Sequence, residues 1–76
     1  MMLTISFREP DEEKEITVMV DSEQKISGTV DVMVEAGIVK AKDCHTVRST
    51  RTKERIEIEK SYSEGHIYNG DILIFD

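Results

Sequence analysis

Cys44, His45 and His66 are the side chains of this 76-residue chain that could support nucleophilic or metal chemistry. A histidine beside a thiol could act as its general base, and thiolate and imidazole groups are ligands that zinc prefers. Adjacent residues of a strand point to opposite faces, however, so His45 would not readily serve Cys44. Without a convergent carboxylate, the three side chains make a weak zinc site. We therefore expect a half-buried cysteine and two surface histidines, with no catalytic residue, no cofactor and no metal.

Two acidic groups could in principle support acid–base chemistry or calcium binding. The first is Asp11-Glu12-Glu13, and the second consists of Glu54, Glu57 and Glu59. Lysines and arginines are interspersed among them, and neither group has the ligand spacing of a calcium loop. We interpret both groups as solvated surface.

A run of basic residues lies around the junction of two predicted strands, at Arg48, Arg51, Lys53 and Arg55. We expect these side chains to form one local cluster around a turn. Such a cluster could dock an acidic partner, or it could protect a hairpin tip and an edge strand against aggregation.

Length and composition predict a single domain spanning residues 1–76. The net charge of −6 opposes general binding to nucleic acid or to an anionic membrane surface. One cysteine allows no intramolecular disulfide. No apolar run approaches the roughly 20 residues of a membrane span, and the N-terminus lacks the features of a signal peptide. We expect a cytoplasmic protein with a small core and no membrane insertion.

The first predicted elements form an antiparallel hairpin. Leu3–Phe7 and Ile16–Val20 both alternate apolar and polar residues with the period of two that is typical of half-buried strands. A short charged loop joins them. Their core faces should consist of Leu3, Ile5, Phe7, Ile16, Val18 and Val20.

A helix should follow the hairpin, starting at Asp21-Ser22-Glu23-Gln24. Asp21 could cap it, and Gln24 occupies the third position of a capping box. Apolar residues then recur at helical spacing, and Gly37 is suited to the C-terminal end. Ile38–Asp43 is predicted to be a connection. The apolar positions of the helix are Ile26, Val30, Met33 and Val34.

Three short strands complete the predicted order, at Thr46–Ser49, Arg55–Glu59 and Ile72–Phe75. The last of them follows Asn69-Gly70-Asp71, a tight turn, because Asn-Gly tolerates positive φ values. A terminal strand that is apolar on both faces should lie in the middle of the sheet. Single apolar residues before the turn, Tyr62 and Ile67, should anchor the intervening segment.

The resulting order, ββαβββ, resembles the ubiquitin-like β-grasp fold, an α+β architecture with a five-stranded mixed sheet packed on one helix. The most specific stretch is Tyr62-Ser63-Glu64-x-x-Ile67-x-Asn69-Gly70-Asp71-x-Leu73. Its last part, Ile67-x-Asn69-Gly70-Asp71-x-Leu73, and the strand with Val47-Arg48 are most similar to the small bacterial EsaB/YukD family. Those ubiquitin-like proteins accompany the type VII secretion machinery of Gram-positive bacteria. Tyr62 stands where the ubiquitin-like pattern usually has Leu.

The resemblance implies a non-catalytic protein-interaction module, an accessory or regulatory cytoplasmic component of a type VII secretion system. Its partner would be a secretion-system ATPase or a membrane component. The alternative is a ubiquitin-like carrier or modifier, which presents a flexible tail ending in Gly-Gly. Here the sequence ends Ile74-Phe75-Asp76, and the nearest glycine is Gly70. We therefore expect no carrier chemistry.

The last strand also suggests an interaction surface. If Leu73 and Phe75 face the helix, alternation turns Ile72 and Ile74 to the open side of the sheet. The resemblance to the β-grasp fold implies that the last strand lies between the first and third strands, whose outward residues are polar. A small apolar island in a polar face is typical of protein contacts, for a foreign partner or for a homodimer. Aliphatic residues are also good strand formers that the surface tolerates. The predicted protein-interaction residues are Ile72, Ile74, Thr46 and Arg48.

Overall fold

A computed structural model describes residues 1–39 and 44–76 as one mixed sheet packed against a single helix. The sheet has five strands in the spatial order β2-β1-β5-β3-β4. β5 pairs in parallel with β1 and antiparallel with β3, so the last strand lies at the centre, as predicted. The elements are β1 (Met2–Arg8), β2 (Glu15–Asp21), α1 (Ile26–Glu35), β3 (Thr46–Ser49), β4 (Arg55–Glu57) and β5 (Ile72–Phe75).

The β1–β2 hairpin forms as the alternation predicted, with Ile5 opposite Val18 and Phe7 opposite Ile16. Its β1 residues on the helix side are buried, whereas Ile16 and Val18 are only half-buried against the core. The difference arises because β2 is an edge strand, covered on one side only. Phe7 stacks on Phe75 of the central strand, with ring centroids 5.5 Å apart.

The helix begins at Ile26, later than predicted, and Asp21 does not cap it. Asp21 ends β2, and its carboxylate accepts a hydrogen bond from the backbone N–H of Glu23 in the turn that follows. The first residue before the helix, Lys25, makes no side-chain cap. Instead, the N–H groups of Ile26 and Ser27 donate to backbone carbonyls of residues 60 and 58, at 3.0 and 2.7 Å. The free donors of the helix start are thus satisfied by a distant segment, which local sequence does not reveal.

The C-terminal end of α1 confirms the role expected of Gly37. Gly37 has a φ of +72°, and the N–H of Ile38 donates to the carbonyl of Met33 at 3.0 Å. This is the bond pattern of a Schellman motif, in which glycine avoids the penalty of a left-handed conformation. Val39 is buried after it, and residues 40–43 of the predicted connection lie outside the described residues. No helix among the described residues is long and apolar enough to cross a bilayer.

The fourth strand ends at Glu57, two residues earlier than predicted. Ile58 is still buried, but its carbonyl turns toward the start of the helix and accepts from Ser27. The chain then makes a short helical turn whose start is a reciprocal capping box that the sequence analysis missed. Ser61 N–H donates to the Glu64 carboxylate at 3.0 Å, and Glu64 N–H donates to the Ser61 hydroxyl at 3.1 Å. The backbone bond from Ser61 lowers the pKa of Glu64.

Tyr62 is the largest side chain that is fully enclosed in the core. It lies with Ile67 in the same buried cluster, so both residues anchor this segment as predicted. Its hydroxyl has no hydrogen-bond partner in the described residues. Burial raises the pKa of Tyr62 to about 12.

Candidate protein-interaction surface

The two faces of β5 differ as the alternation predicted. Leu73 and Phe75 are 0% and 2% exposed and pack toward the helix, whereas Ile72 and Ile74 are half-buried on the opposite side. We call that opposite side of the sheet the open face, since α1 packs against the other side. The parity of the strands places Thr46 and Arg48 of β3 on the open face as well. The four predicted interaction residues therefore share one surface.

Ile72 has polar neighbours on the open face. It lies opposite Ser6 of β1, whose hydroxyl is 2.9 Å from the hydroxyl of Thr17 on β2. One of these hydroxyls donates to the other, so this side of Ile72 is polar without a charged group. Ile72 is thus an aliphatic side chain beside the uncharged, hydrogen-bonded hydroxyls of Ser6 and Thr17.

Ile74 instead lies between two arginines. It is opposite Arg8 on β1 and opposite Arg48 on β3. The same cross-strand row continues to Glu15 beyond Arg8 and to Arg55 beyond Arg48. An apolar side chain with cationic groups on both sides is a surface that combines hydrophobic contact with attraction for an anion.

Asp76 connects two of these arginines. Its Oδ2 atom lies 2.7 Å from Nε of Arg55 and 3.4 Å from Nη2 of Arg48. The backbone N–H of Asp76 donates to the carbonyl of Thr46 at 3.2 Å, so the residue is held beside β3. No local sequence pattern indicates a role for Asp76 or Arg8. Their positions beside Ile74 and Arg48 follow from the register of the central strand.

The turn that precedes β5 is fixed by side chains on both sides. Asn69 Oδ1 accepts from the N–H of Thr4 at 2.7 Å, and the N–H of Gly70 donates to the Thr4 carbonyl at 2.8 Å. Gly70 has a φ of +89°, as the Asn-Gly pair predicted. The turn is therefore bonded directly to β1, and it sets the register that brings Ile72 opposite Ser6.

Asp71 anchors the other side of that turn. Its buried carboxylate accepts from Nε of Arg51 at 2.9 Å and from the N–H of Tyr68 at 2.9 Å. Arg51 also donates to the carbonyl of His66 and lies over the ring of Tyr68, 4.8 Å from its centroid. The hydrogen bond with Asp71 raises the pKa of Arg51. This network locks the loop on the start of the central strand.

The expectation of one basic cluster around the β3–β4 turn is therefore wrong. Arg48 and Arg55 lie on the open face with Asp76, whereas Arg51 turns away to Asp71. Lys53 occupies the turn itself, with a φ of +63°. The physical reason is that Arg51 lies in the turn between the strands, where the buried carboxylate of Asp71 draws it out of the group.

The residues that suggested catalysis or zinc do not form a common site in the part of the chain that the structure describes. Cys44 is half-buried, and its thiol donates to the carbonyl of Thr46 at 3.0 Å. His45 and His66 are exposed, as expected. Within residues 1–39 and 44–76, no three histidine, cysteine or acidic side chains are arranged to hold a metal ion.

Comparison with known proteins identifies the fold. No protein-family model matches the chain, and no curated protein sequence matches it. Among solved structures, a de novo protein designed on the basis of ubiquitin superposes with a TM-score of 0.76 at 20% identity, covering 99% of this chain and 87% of that chain. The C-terminal ubiquitin-like domain of mouse tubulin-specific chaperone e gives 0.71 at 15% identity, with 97% and 84% covered.

A third similar structure is the ubiquitin-like domain of Plasmodium falciparum Dsk2, with a TM-score of 0.65 at 15% identity and full coverage of both chains. Sequence identities this low carry the fold and no particular activity. The strand order, the single helix and these superpositions agree. The chain has the ubiquitin-like β-grasp fold that its sequence predicted.

Proposed function

We propose that this protein is a non-catalytic protein-interaction module that binds its partner through the open face. The observation that carries the proposal is the position of Ile72 and Ile74. They lie half-buried on the central strand, surrounded by polar and charged residues on both neighbouring strands. An aliphatic centre with a polar rim is the usual anatomy of a protein interface.

We further propose that the module is an accessory or regulatory component of a bacterial type VII secretion system, acting in the cytoplasm. This role rests on the resemblance of Ile67-x-Asn69-Gly70-Asp71-x-Leu73 to the EsaB/YukD family. The partner would be a secretion-system ATPase or a membrane component. In the structure these residues fix the turn and the core, so they support the fold directly and the secretion role only through the family resemblance.

A capture experiment in the native host tests both parts of the proposal. Tagged protein is recovered after mild cross-linking, and its partners are identified by mass spectrometry. The test variant combines Ile72→Glu with Ile74→Glu on the open face. The matched control combines Val32→Glu with Ile38→Glu, which adds the same charge at two exposed apolar residues that lie off the strands.

We expect the wild type and the control to recover a type VII ATPase or membrane component, and the open-face variant to lose it. Loss in both variants would contradict the assignment of the surface. If the wild type recovers proteins unrelated to secretion and the open-face variant loses them, the interaction surface is supported. The secretion role is then rejected. All variants must first show the folded circular dichroism of the wild type.

The alternative is a ubiquitin-like carrier or modifier. β5 is paired with β1 through residues 72–74 and with β3 through residues 73–75, and Asp76 bonds to Thr46 and to two arginines. Presentation of this segment to an activating enzyme would require its removal from the sheet. Recovery of an adenylating enzyme or a sulfurtransferase in the capture experiment would favour the carrier reading and contradict the interaction module.

A further inference from the structure

The open face contains a pair of like charges whose repulsion an anion relieves. Arg48 and Arg55 lie directly opposite each other on β3 and β4. Like charges in this position repel and destabilise the strand pair. Asp76 contacts both guanidinium groups through one oxygen atom, at 3.4 and 2.7 Å. The two arginines thus form an anion-binding position that the chain fills with its own carboxylate.

That carboxylate is held in an exposed setting. The Arg48 and Arg55 side chains are 44% and 65% exposed, and the Asp76 side chain is 26% exposed. Exposed ion pairs are weak because water and salt screen them and because long side chains lose entropy in forming them. A carboxylate from another molecule can therefore exchange with that of Asp76.

The anion-binding position adjoins the apolar centre of the open face. Arg48 and Arg55 lie one and two strands away from Ile74 in the same cross-strand row. At a strand spacing of ~4.8 Å, the position between the two arginines is ~7 Å from Ile74. An extended segment matches this separation with residues i and i+2, and a helix approximates it with residues i and i+4. One ligand segment can thus cover Ile74 and reach both arginines.

We infer that the open face binds a protein segment that carries a carboxylate side chain ~7 Å from an apolar side chain. The apolar group covers Ile74, and the carboxylate replaces that of Asp76 between Arg48 and Arg55. Asp76 then acts as an internal competitor that lowers the affinity for this partner. The inference rests on the proposed function, since it names the chemistry of the partner at the same surface.

Two other occupants fit the charges less well. A second copy packed with Ile74 against Ile74 would bring its own Arg8 and Arg48 close to those of the first copy. A nucleic acid would meet the carboxylates of Glu15, Glu57 and Asp76 on the same face of a chain with net charge −6. An acidic and partly apolar protein segment satisfies both the arginines and the isoleucine.

A library of random 12-residue peptides displayed on phage provides the probe. Peptides that bind the wild type are synthesised, and their affinities are measured by calorimetry for the wild type, Asp76→Asn and Glu57→Gln. Glu57 lies on the open face in the same cross-strand row as Thr46 and forms no ion pair within the described residues. Glu57→Gln therefore changes the net charge equally but releases neither arginine.

We expect the recovered peptides to contain Asp or Glu near an apolar residue. Asp76→Asn should bind them about fivefold more tightly than Glu57→Gln does, because the internal competitor is absent and the competent state is more populated. Arg55→Gln should bind the peptides about fivefold more weakly than the wild type does, because one of the two arginines that hold the carboxylate is lost. Thermal unfolding of each variant verifies that the affinities refer to folded protein.

Equal affinities of Asp76→Asn and Glu57→Gln, or peptides without acidic residues, would overturn the inference. The proposed function would still stand if Ile72→Glu with Ile74→Glu abolished the binding. Undiminished binding by that double variant, or a library that yields no binder, would contradict the proposed function as well. Self-association that Asp76→Asn strengthens, measured by light scattering, would identify a second copy as the occupant and would also overturn the inference.

Discussion

Asp76 Oδ2 lies 2.7 Å from Nε of Arg55, so a carboxylate beside the central strand reaches past β3 to the edge strand β4. The same atom contacts Arg48, which lies on the strand between them. This one carboxylate joins three strands on the open face and neutralises two arginines that lie opposite each other. The pairing of charges on this face therefore depends on the strand order of the folded chain.

The first prediction concerns the contribution of Asp76 to stability. Asp76→Asn should lower the free energy of unfolding by about 1 kcal/mol or less, since exposed ion pairs contribute little and the two arginines then repel each other. Urea unfolding at low salt measures the change, and the difference should shrink at high salt through screening. Glu57→Gln serves as the control and should leave stability almost unchanged. A loss of several kcal/mol in Asp76→Asn would show that the carboxylate is essential to the fold.

The two faces of β5 should respond differently to truncation. Leu73→Ala removes a fully buried side chain and should lower the free energy of unfolding by about 2 to 5 kcal/mol, through lost transfer energy and a residual cavity. Ile74→Ala removes a half-buried side chain from the open face and should cost roughly 1 kcal/mol. Equilibrium urea unfolding compares the two variants. Similar losses at both positions would mean that Ile74 serves the core rather than a surface.

Two glycines should respond with opposite signs to replacement by alanine. Gly70→Ala places a side chain at a φ of +89° in the turn before β5, where no atom clashes but the backbone is strained, and should cost about 1 to 2 kcal/mol. Gly28→Ala in α1 meets only the flexible Gln24 side chain at 3.4 Å and should stabilise by about 0.5 to 1 kcal/mol. Thermal unfolding midpoints test both changes. A stabilising Gly70→Ala would show that the turn does not need its left-handed residue.

The raised pKa of Tyr62 predicts that the protein loses stability at high pH. Its pKa is about 12 in the folded chain against 10.0 for an unperturbed tyrosine, so the unfolded state loses its proton first as the pH rises. The stabilising effect is complete below pH 10 and should fall by about 2 to 3 kcal/mol by pH 12. Urea unfolding from pH 8 to 12 measures this decline against Tyr62→Phe.

In Tyr62→Phe, the part of the decline in the free energy of unfolding at high pH that comes from Tyr62 should disappear. At pH 7 the variant should be as stable as the wild type or slightly more stable, because the buried hydroxyl has no hydrogen-bond partner in the described residues. Parallel pH profiles for the two proteins would show that Tyr62 is solvated in the folded state. A large loss at pH 7 would indicate that the hydroxyl is bonded.

Local alternation and turn chemistry were sufficient to predict the number and order of the strands, although the fourth strand ends earlier than predicted. The bounds of Thr46–Ser49 and Ile72–Phe75 agree with the structure, because period-two patterning and an Asn-Gly turn depend on neighbouring residues only. The start of the helix was predicted incorrectly because it depends on residues that are distant in the sequence. Its free N–H groups are satisfied by carbonyls of residues 58 and 60, more than thirty residues later in the chain.

The same distinction applies to the candidate site. Strand parity, together with the strand order that the β-grasp resemblance implies, was sufficient to predict that Ile72, Ile74, Thr46 and Arg48 share one face. The contact of Asp76 with Arg55 depends on a strand order in which β3 separates them, and a run of four basic residues gave no sign that Arg51 would turn to Asp71. Charge pairing between non-adjacent strands therefore had to come from the structure.

The central claim is that partners bind the open face, and site-specific photo-cross-linking in the native host tests it most directly. A photo-reactive amino acid replaces Thr46 at the rim of the open face in one strain and Val32, 64% exposed on the helix, in another. We expect a specific protein adduct from position 46, none from position 32, and loss of the adduct when Ile72→Glu and Ile74→Glu are added. Adducts from position 32 alone would place the partner on the helix side and contradict the claim.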